Sequence, residues 1–222
     1  MFLFLSSGFF LQIVLLFTTS FFGVQISFLT GSALAIKTKL PRLVVFDLDG
    51  CLWKPELHDL SRYSFSQEVT FELMKNNRCR SNTGSVITLF PDVTWIIEHV
   101  LSLEHGPKLA IASRTSHPDW ALELLQTFQL PSTGNSLMQV MNGPRIMNSS
   151  ISKVKQFRQI EKDTKIPFTE MLFFDNDIGN CKSVSRLGVT VGYCPNGIEH
   201  GIFEKSMAKF PVKWGVVGLQ VM

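Results

Sequence analysis

The sequence predicts an α/β domain built on a doubly wound, Rossmann-like parallel sheet of about five strands. Helices are expected on both faces, with a small hairpin excursion after the first strand. Three short apolar runs indicate this fold, because each stops on a polar residue that can take part in chemistry. The runs and their polar ends are 43–46 with Asp47, 109–112 with Ser113, and 171–174 with Asp175. Such runs are typical of strands buried on both faces, and ligands bind beyond their carboxyl ends.

The excursion follows the first strand and occupies residues 53–86, which lack a sustained hydrophobic period. A polar, basic tract over 75–84 predicts a hairpin tip at 82–84. The excursion is too short for a large cap domain, so the crevice is expected to stay open.

Two amphipathic helices come next. The first is expected over 91–105, and the second follows a strand at 108–112, with Ser116 as its cap and Pro118 in its first turn. Both have apolar residues at helical spacing. These residues are Val93, Ile96, Ile97 and Val100 in the first helix, and Ala121, Leu124, Leu125 and Phe128 in the second.

The rest of the chain continues the alternation. A third strand is expected near 138–141, a helix over 150–163, a fourth strand over 171–174, a helix over 178–187 and a fifth strand over 189–194. Strands that alternate with helices predict a parallel sheet with right-handed crossovers.

A hydrophobic leader occupies residues 1–36, which contain no charged side chain and no histidine. Small residues at 33–35 form a cleavage pattern, so we expect a cleaved signal peptide that directs the chain to the secretory pathway or an organelle. Phe28 follows a signal-like apolar core, an arrangement that is compatible with a two-part plastid targeting signal. The basic flank at 37–42 favours the alternative, a membrane-anchored protein.

Residues 37–222 carry every charged side chain and are long enough for one domain. The formal net charge of the chain is +3, which is too small for a nucleic-acid-binding protein. Nucleic acid is therefore not an expected partner, and membrane contact is expected only if the leader is retained.

Cysteines, histidines and tryptophans are not assigned to a site. The four cysteines show neither a C-x-x-C pair nor zinc spacing, so buried or free thiols are expected. The histidines show no ligand spacing, and the tryptophans are expected to pack in or near the core. The cysteines are Cys51, Cys79, Cys181 and Cys194.

Asp47 and Asp49 place two carboxylates where the first strand ends. One can attack phosphorus to form an aspartyl-phosphate, while the other gives a proton to the leaving group and later takes one from water. The alternative is that the two carboxylates only cap a turn. Charge without a function is disfavoured at the end of a buried strand, because burying an unpaired charge costs free energy. Phosphate repels carboxylates, so we expect Mg²⁺ as cofactor, held by Asp47 and Asp175.

Three further residues are candidates for binding phosphate. The Ser113 hydroxyl and the backbone N–H groups after it lie at a predicted helix start, where anions bind. Arg114 can clamp phosphate or be solvated. Lys153 falls in the first turn of a predicted helix, a position that the macrodipole disfavours and that a phosphate-facing role explains. The alternatives are that Ser113 only turns the chain and that Lys153 is solvated.

Asp175, Asn176 and Asp177 complete the set of candidates. Asp175 is the expected metal ligand. Asn176 and Asp177 are expected to support it, Asp177 as a ligand through water or as an orienting group, or else as the N-cap of the next helix.

Over residues 40–200 the chain resembles phosphatases of the haloacid dehalogenase (HAD) superfamily, and more narrowly the eukaryotic magnesium-dependent phosphatase 1 family. The motifs that carry the resemblance are 46–53, 112–116, 152–154 and 173–177, with 89–93 and 186–190 for the narrower family. The resemblance implies that Asp47 is the nucleophile and a Mg²⁺ ligand, and that Asp49 is the general acid/base and a ligand through its backbone carbonyl. It also implies that Ser113 and Lys153 bind phosphate and that Asp175 is the second carboxylate ligand.

Two positions depart from the family pattern. Cys51 stands where the family usually has threonine, and Asn176 where an acidic residue is common.

From the candidate residues and the resemblance together we expect a Mg²⁺-dependent phosphomonoester hydrolase. Its expected substrate is a phosphorylated small molecule or a phosphoprotein, of the sugar phosphate or phosphotyrosine type. The alternative is a catalytically weak or inactive scaffold that binds phosphorylated partners at a membrane.

Overall fold

A computed structural model of the protein describes residues 39–61, 69–212 and 215–219. The strands are β1 (Leu43–Phe46), β2 (Trp53–Lys54), β3 (Phe71–Met74), β4 (Arg78–Ser81), β5 (Val86–Leu89), β6 (Lys108–Ser113), β7 (Arg145–Met147), β8 (Met171–Asp175), β9 (Thr190–Tyr193) and β10 (Val216–Val217). The helices are α1 (Leu57–Ser61), α2 (Val93–Ser102), α3 (Pro118–Thr127), α4 (Leu137–Val140), α5 (Lys153–Thr164), α6 (Ile178–Ser185) and α7 (His200–Lys209).

Six strands form a parallel sheet in the order β10-β9-β8-β1-β6-β7. β1 lies in the middle, with Phe46 beside Ile111 of β6 and beside Phe174 of β8. Because the strands run the same way, the polar residues that end β1, β6 and β8 meet at one edge. The α/β prediction is confirmed, and the sheet has one strand more than expected.

Alternate residues of β1 face different helices. Val44 and Phe46 belong to a core shared with α2, α3 and α7, whereas Leu43 and Val45 belong to a core shared with α5 and α6. All four side chains are fully buried, and each contributes about 1.5–3 kcal/mol of burial free energy. Helices therefore cover both faces, as predicted.

The excursion is larger than the single hairpin expected. It is a four-stranded antiparallel sheet in the order β2-β5-β4-β3. The tip at 82–84 is correct, but residues 75–77 form a second tight turn in which Asn76 and Asn77 have positive φ. Asparagine tolerates this conformation. The Glu123 carboxylate of α3 accepts a hydrogen bond of 2.8 Å from Phe71 N, which fastens β3 to the main domain.

The strand predicted at 138–141 is wrong. Residues Leu137–Val140 are helical because Ser136 and Gln139 form a capping box. Ser136 Oγ accepts from Gln139 N at 3.2 Å, and Gln139 Oε1 accepts from Ser136 N at 2.7 Å. Satisfying two otherwise unpaired N–H groups favours a helix start over a strand. The third strand of the parallel sheet, counted along the chain, is β7 at Arg145–Met147.

Other helix boundaries differ from the predicted ones by a few residues. α2 and α6 are shorter than predicted, and His117 rather than Ser116 is the N-cap residue of α3, with Pro118 as the first helical residue. α7 and β10 were not predicted. The expected leader over 1–36 lies outside the described residues. Within the described ranges, each helix is too short or too polar to cross a bilayer.

Candidate active site

The polar ends of β1, β6 and β8 surround a cavity of about 320 Å³. Six of the eight predicted site residues line it, while Lys153 and Asp175 lie buried beneath it. The lining residues are Asp47, Asp49, Glu56, His58, Ser113, Arg114, Thr115, Ser116, Asn176, Asp177 and Asn180. A cavity of about 340 Å³ lies against β3 and β4, but Glu72 is the single carboxylate among its described lining residues. The paired carboxylates make the first cavity the candidate active site.

Lys153 joins two carboxylates below the cavity floor. Its Nζ lies 2.8 Å from Asp47 Oδ1 and 3.0 Å from Asp175 Oδ2, and it also donates to the backbone oxygen of Ala112. The solvated alternative for Lys153 is therefore wrong, since the residue is only 2% exposed. A buried cation between two carboxylates holds the ends of β1, β6 and β8 together.

Burial and charge act in opposite directions on Lys153. Burial alone would lower its pKa, but the carboxylates of Asp47 and Asp175 outweigh that effect, so its pKa is raised. Burial, followed by repulsion from Asp47, raises the pKa of Asp175 to about 7, although Lys153 opposes the shift. The lysine therefore stays charged, and a second cation beside Asp175 would favour its ionised form.

Asp49 has a different environment from Asp47. Its Oδ1 accepts hydrogen bonds from Trp53 Nε1 at 2.7 Å and from Leu57 N, at the start of α1, at 3.2 Å. Burial raises the pKa of Asp49 to about 6, these hydrogen bonds oppose the rise, and the Asp47 carboxylate adds to it. Such a carboxyl can hold a proton near neutral pH and then release it, as a general acid/base must.

Ser113 ends β6 and is 1% exposed. Its Oγ accepts a hydrogen bond of 3.3 Å from Thr115 N, which turns the chain, and the residue also lines the cavity. Phosphate binding by Ser113 stays a prediction. Arg114 is exposed and lines the same wall. Both residues thus border the same cavity.

Asp177 is the N-cap of α6, as one of its two interpretations predicted. Its Oδ1 accepts from Asn180 N at 2.8 Å, and its own N–H donates to Asp175 Oδ1 at 2.7 Å. Asn176 packs against Gly50, whose φ is +71°. A Cβ at Gly50 would lie 2.2 Å from Asn176 Nδ2, so only glycine allows this close approach.

Three polar partners were not predicted. Trp53 is core packing, as expected, but its indole also fixes Asp49. Asn180 donates to Asp175 Oδ2 at 3.1 Å. Gln156 Nε2 donates to Ser113 O at 2.7 Å, which anchors the end of β6. Gln156 lies three residues after Lys153 in α5, and Asn180 lies three residues after Asp177, the N-cap of α6. That spacing was the available signal.

The site fits a hard divalent cation that keeps several waters. No group of three His, Cys, Asp or Glu side chains is arranged for metal binding in the described residues. Asp47 Oδ1 is buried and lacks a hydrogen bond of acceptable geometry within those residues, although Lys153 is close. Mg²⁺ needs only one or two carboxylates beside waters and substrate oxygens, and Asp47 and Asp175 meet that need.

Comparison with known proteins gives matches along most of the domain. Human magnesium-dependent phosphatase 1 is 31% identical over 172 residues, covering 78% of this chain and 88% of that protein. A HAD-like hydrolase superfamily protein from Schizosaccharomyces pombe is 29% identical over 154 residues, covering 68% of this chain and 84% of that protein.

Two solved structures show the same fold. One is the phosphatase-containing N-terminal part of a Bacteroides fragilis protein complexed with Mg, with TM-score 0.50 and 18% identity. The match covers 82% of this chain and 43% of that one. The other is a HAD-superfamily hydrolase from Ehrlichia chaffeensis, with TM-score 0.50, 12% identity, and coverage of 76% and 97%.

The fold and the strand-end carboxylates define a phosphatase of the HAD superfamily, as the sequence motifs predicted. The Acid Phosphatase family matches residues 39–213. The chain therefore belongs to the acid phosphatase family.

Proposed function

We propose that this protein is a Mg²⁺-dependent phosphomonoester hydrolase that works through an aspartyl-phosphate on Asp47. The observation that carries the proposal is the contrast between two carboxylates on one cavity wall. Asp47 is paired with a buried lysine, whereas Asp49 has a raised pKa. A carboxyl whose raised pKa lets it hold a proton near neutral pH suits proton transfer, which leaves the lysine-paired carboxylate for nucleophilic attack.

The reaction has two balanced steps. An Asp47 carboxylate oxygen attacks phosphorus, the bond to the leaving oxygen breaks, and Asp49 gives that oxygen its proton. A water molecule then attacks the phosphorus of the aspartyl-phosphate and gives a proton to Asp49. Inorganic phosphate leaves, and both carboxyl groups return to their starting states.

The other residues bind and orient the phosphate. The Ser113 hydroxyl and the Arg114 side chain lie on the cavity wall. The Lys153 ammonium, beside Asp47, offsets negative charge at the attack point. Mg²⁺, which acts in the human relative by its name, would be held by Asp47, Asp175 and the backbone of Asp49. When bound, it neutralises charge between carboxylate and phosphate.

Metal dependence supplies the main test. A generic aryl phosphate should be hydrolysed with Mg²⁺, not with a chelator, and again when Mg²⁺ or partly Mn²⁺ is restored. Asp175→Ala should raise the Mg²⁺ concentration for half-maximal rate by at least about 100-fold, because even outer partners of a metal cost 10–100-fold. Asn176→Ala is the matched control and should raise it far less. Equal effects would show that Asp175 is not the ligand.

Asp49→Asn should slow hydrolysis by about 10² to 10⁴-fold for alkyl phosphates, because their leaving oxygens need a proton. The loss should be smallest for aryl phosphates such as 4-nitrophenyl phosphate, whose leaving groups depart without one. The test is a plot of rate against leaving-group pKa for both proteins. A loss that is the same for every leaving group would contradict the general-acid role.

Polar side chains around the opening support a hydrophilic substrate. Glu56, His58, Arg114 and Ser116 are exposed and line the cavity beside the carboxylates. Hydroxyl-rich groups such as those of sugar phosphates can hydrogen-bond to these side chains, whereas a phosphotyrosine ring would need apolar surface. We expect a higher kcat/KM for sugar phosphates than for phosphotyrosine. The reverse order, measured by phosphate release, would contradict the sugar-phosphate assignment.

The scaffold alternative predicts phosphate binding without turnover. Asp47, Asp49, Lys153 and Asp175 are all retained and meet at one site, which favours the enzyme. Failure of Mg²⁺ to promote any aryl phosphate hydrolysis by the folded protein would favour the scaffold.

A further inference from the structure

Two buried thiols meet beside the first loop of the candidate active site. Cys51 follows Asp49 and Gly50 in that loop, and Cys194 follows β9. Their Sγ atoms are 3.5 Å apart, and the two residues are 0% and 2% exposed. Cys51 Sγ also contacts the backbone oxygen of Phe174 at 3.5 Å. The chemistry proposed above uses neither thiol.

We propose that Cys51 and Cys194 form a reversible disulfide that lowers phosphatase activity by displacing the first loop. The loss of activity rests on the proposed function, whereas the bond itself rests on the sulfur geometry. Bonded sulfurs lie about 2.05 Å apart, so the two thiols must approach each other by about 1.5 Å.

Of the two residues, Cys194 is the one that borders a cavity and is therefore the first thiol an oxidant would meet. Cys194 lines a cavity of about 240 Å³ together with Tyr193, Pro195 and Glu199. We name hydrogen peroxide as the oxidant. Cys194 sulfur attacks the peroxide, the O–O bond breaks, and a sulfenic acid and one water form. Cys51 sulfur then attacks the sulfenic sulfur, the S–O bond breaks and a second water leaves, so two thiols are oxidised as one peroxide is reduced.

The bond would strain the parts that hold the catalytic groups. Cys194 N donates to Asp175 O at 3.1 Å, and Cys51 O accepts from Ile198 N at 3.0 Å. Movement of Cys51 toward Cys194 therefore shifts the Asp49 loop relative to the end of β8. A misplacement of about 1 Å in a catalytic group can cost about 10²-fold in rate.

The experiment uses the full chain, first reduced with dithiothreitol and then incubated with hydrogen peroxide. Free thiols are blocked with N-ethylmaleimide, the chain is digested, and linked peptides are mapped by mass spectrometry. We expect a Cys51–Cys194 peptide and a loss of aryl phosphatase activity of about tenfold or more. Dithiothreitol should restore the activity, which separates this bond from methionine oxidation.

Variants identify the bond that matters. Cys194→Ser and Cys51→Ser should each retain activity in peroxide, and using both guards against one that folds poorly. Cys79→Ser is the control, because Cys79 lies in β4 of the second sheet; it should lose activity as the unaltered chain does. Absence of the linked peptide, or a linked protein with full activity, would overturn the proposal. A reduced protein without Mg²⁺-dependent activity would count against the proposed function, and the peptide map would still decide whether the bond forms.

Discussion

Asp47→Asn is expected to reduce kcat by roughly 10⁴-fold or more, because removing a nucleophile eliminates the covalent route. An amide oxygen is a poor nucleophile toward phosphorus and a weaker metal ligand than a carboxylate. The fold should persist, since Lys153 keeps its ion pair with Asp175 at 3.0 Å. Steady-state rates with an aryl phosphate, together with circular dichroism, provide the measurement.

The control makes the same chemical change far from the site. Asp163 is exposed near the end of α5, where it accepts a hydrogen bond from Gln159, so Asp163→Asn should keep full activity. Detection of a phosphorylated peptide containing Asp47 after rapid acid quench would support the covalent intermediate. Substantial turnover by folded Asp47→Asn would overturn the nucleophile assignment.

The central strands could be predicted because burial on both faces leaves a continuous apolar run. β1, β6 and β8 were placed to within one residue. β7 was not, since Arg145–Met147 is short, half exposed and at the sheet edge. α4 was mistaken for a strand because four residues cannot display a helical period, and only the cap at Ser136 distinguishes the two.

The candidate site was predictable as a set of strand ends but not as a network. The carboxyl ends of neighbouring parallel strands lie at one edge of the sheet, independently of which side chains they carry. Asp47, Ser113 and Asp175 could therefore be placed together from the sequence. The partners of these residues depend on side-chain packing that no local pattern encodes. Trp53 is an example, because a buried indole gives no sign in the sequence that its N–H reaches Asp49.

The structure gives the two departures from the family pattern different consequences. The Cys51 thiol lies 3.5 Å from the Cys194 thiol. Asn176 lines the cavity against Gly50, whereas Asp175 takes the contacts with Lys153 and Asn180. We therefore expect the loss of an acidic group at 176 to affect metal affinity less than any change at 175.

Lys153→Met should produce the second large effect, because Lys153 is the buried cation between Asp47 and Asp175. Methionine has similar length but no charge, so two buried carboxylates would be left facing each other. Breaking a buried ion pair in this way costs about 3–5 kcal/mol, and we expect the metal-free variant to lose stability of that order. Its kcat/KM should fall by roughly 10² to 10³-fold, the usual cost of removing a group that stabilises transition-state charge.

The dependence of this loss on Mg²⁺ separates charge from packing. A cation bound by Asp47 and Asp175 would restore positive charge where the ammonium is missing, so Mg²⁺ should raise the melting temperature of Lys153→Met more than that of the unaltered protein. Lys155→Met is the matched control, two residues along the same helix and exposed, and it should change neither rate nor stability. An equal Mg²⁺ effect on Lys153→Met and on the unaltered protein would mean that packing, rather than the charge of Lys153, holds these carboxylates in place.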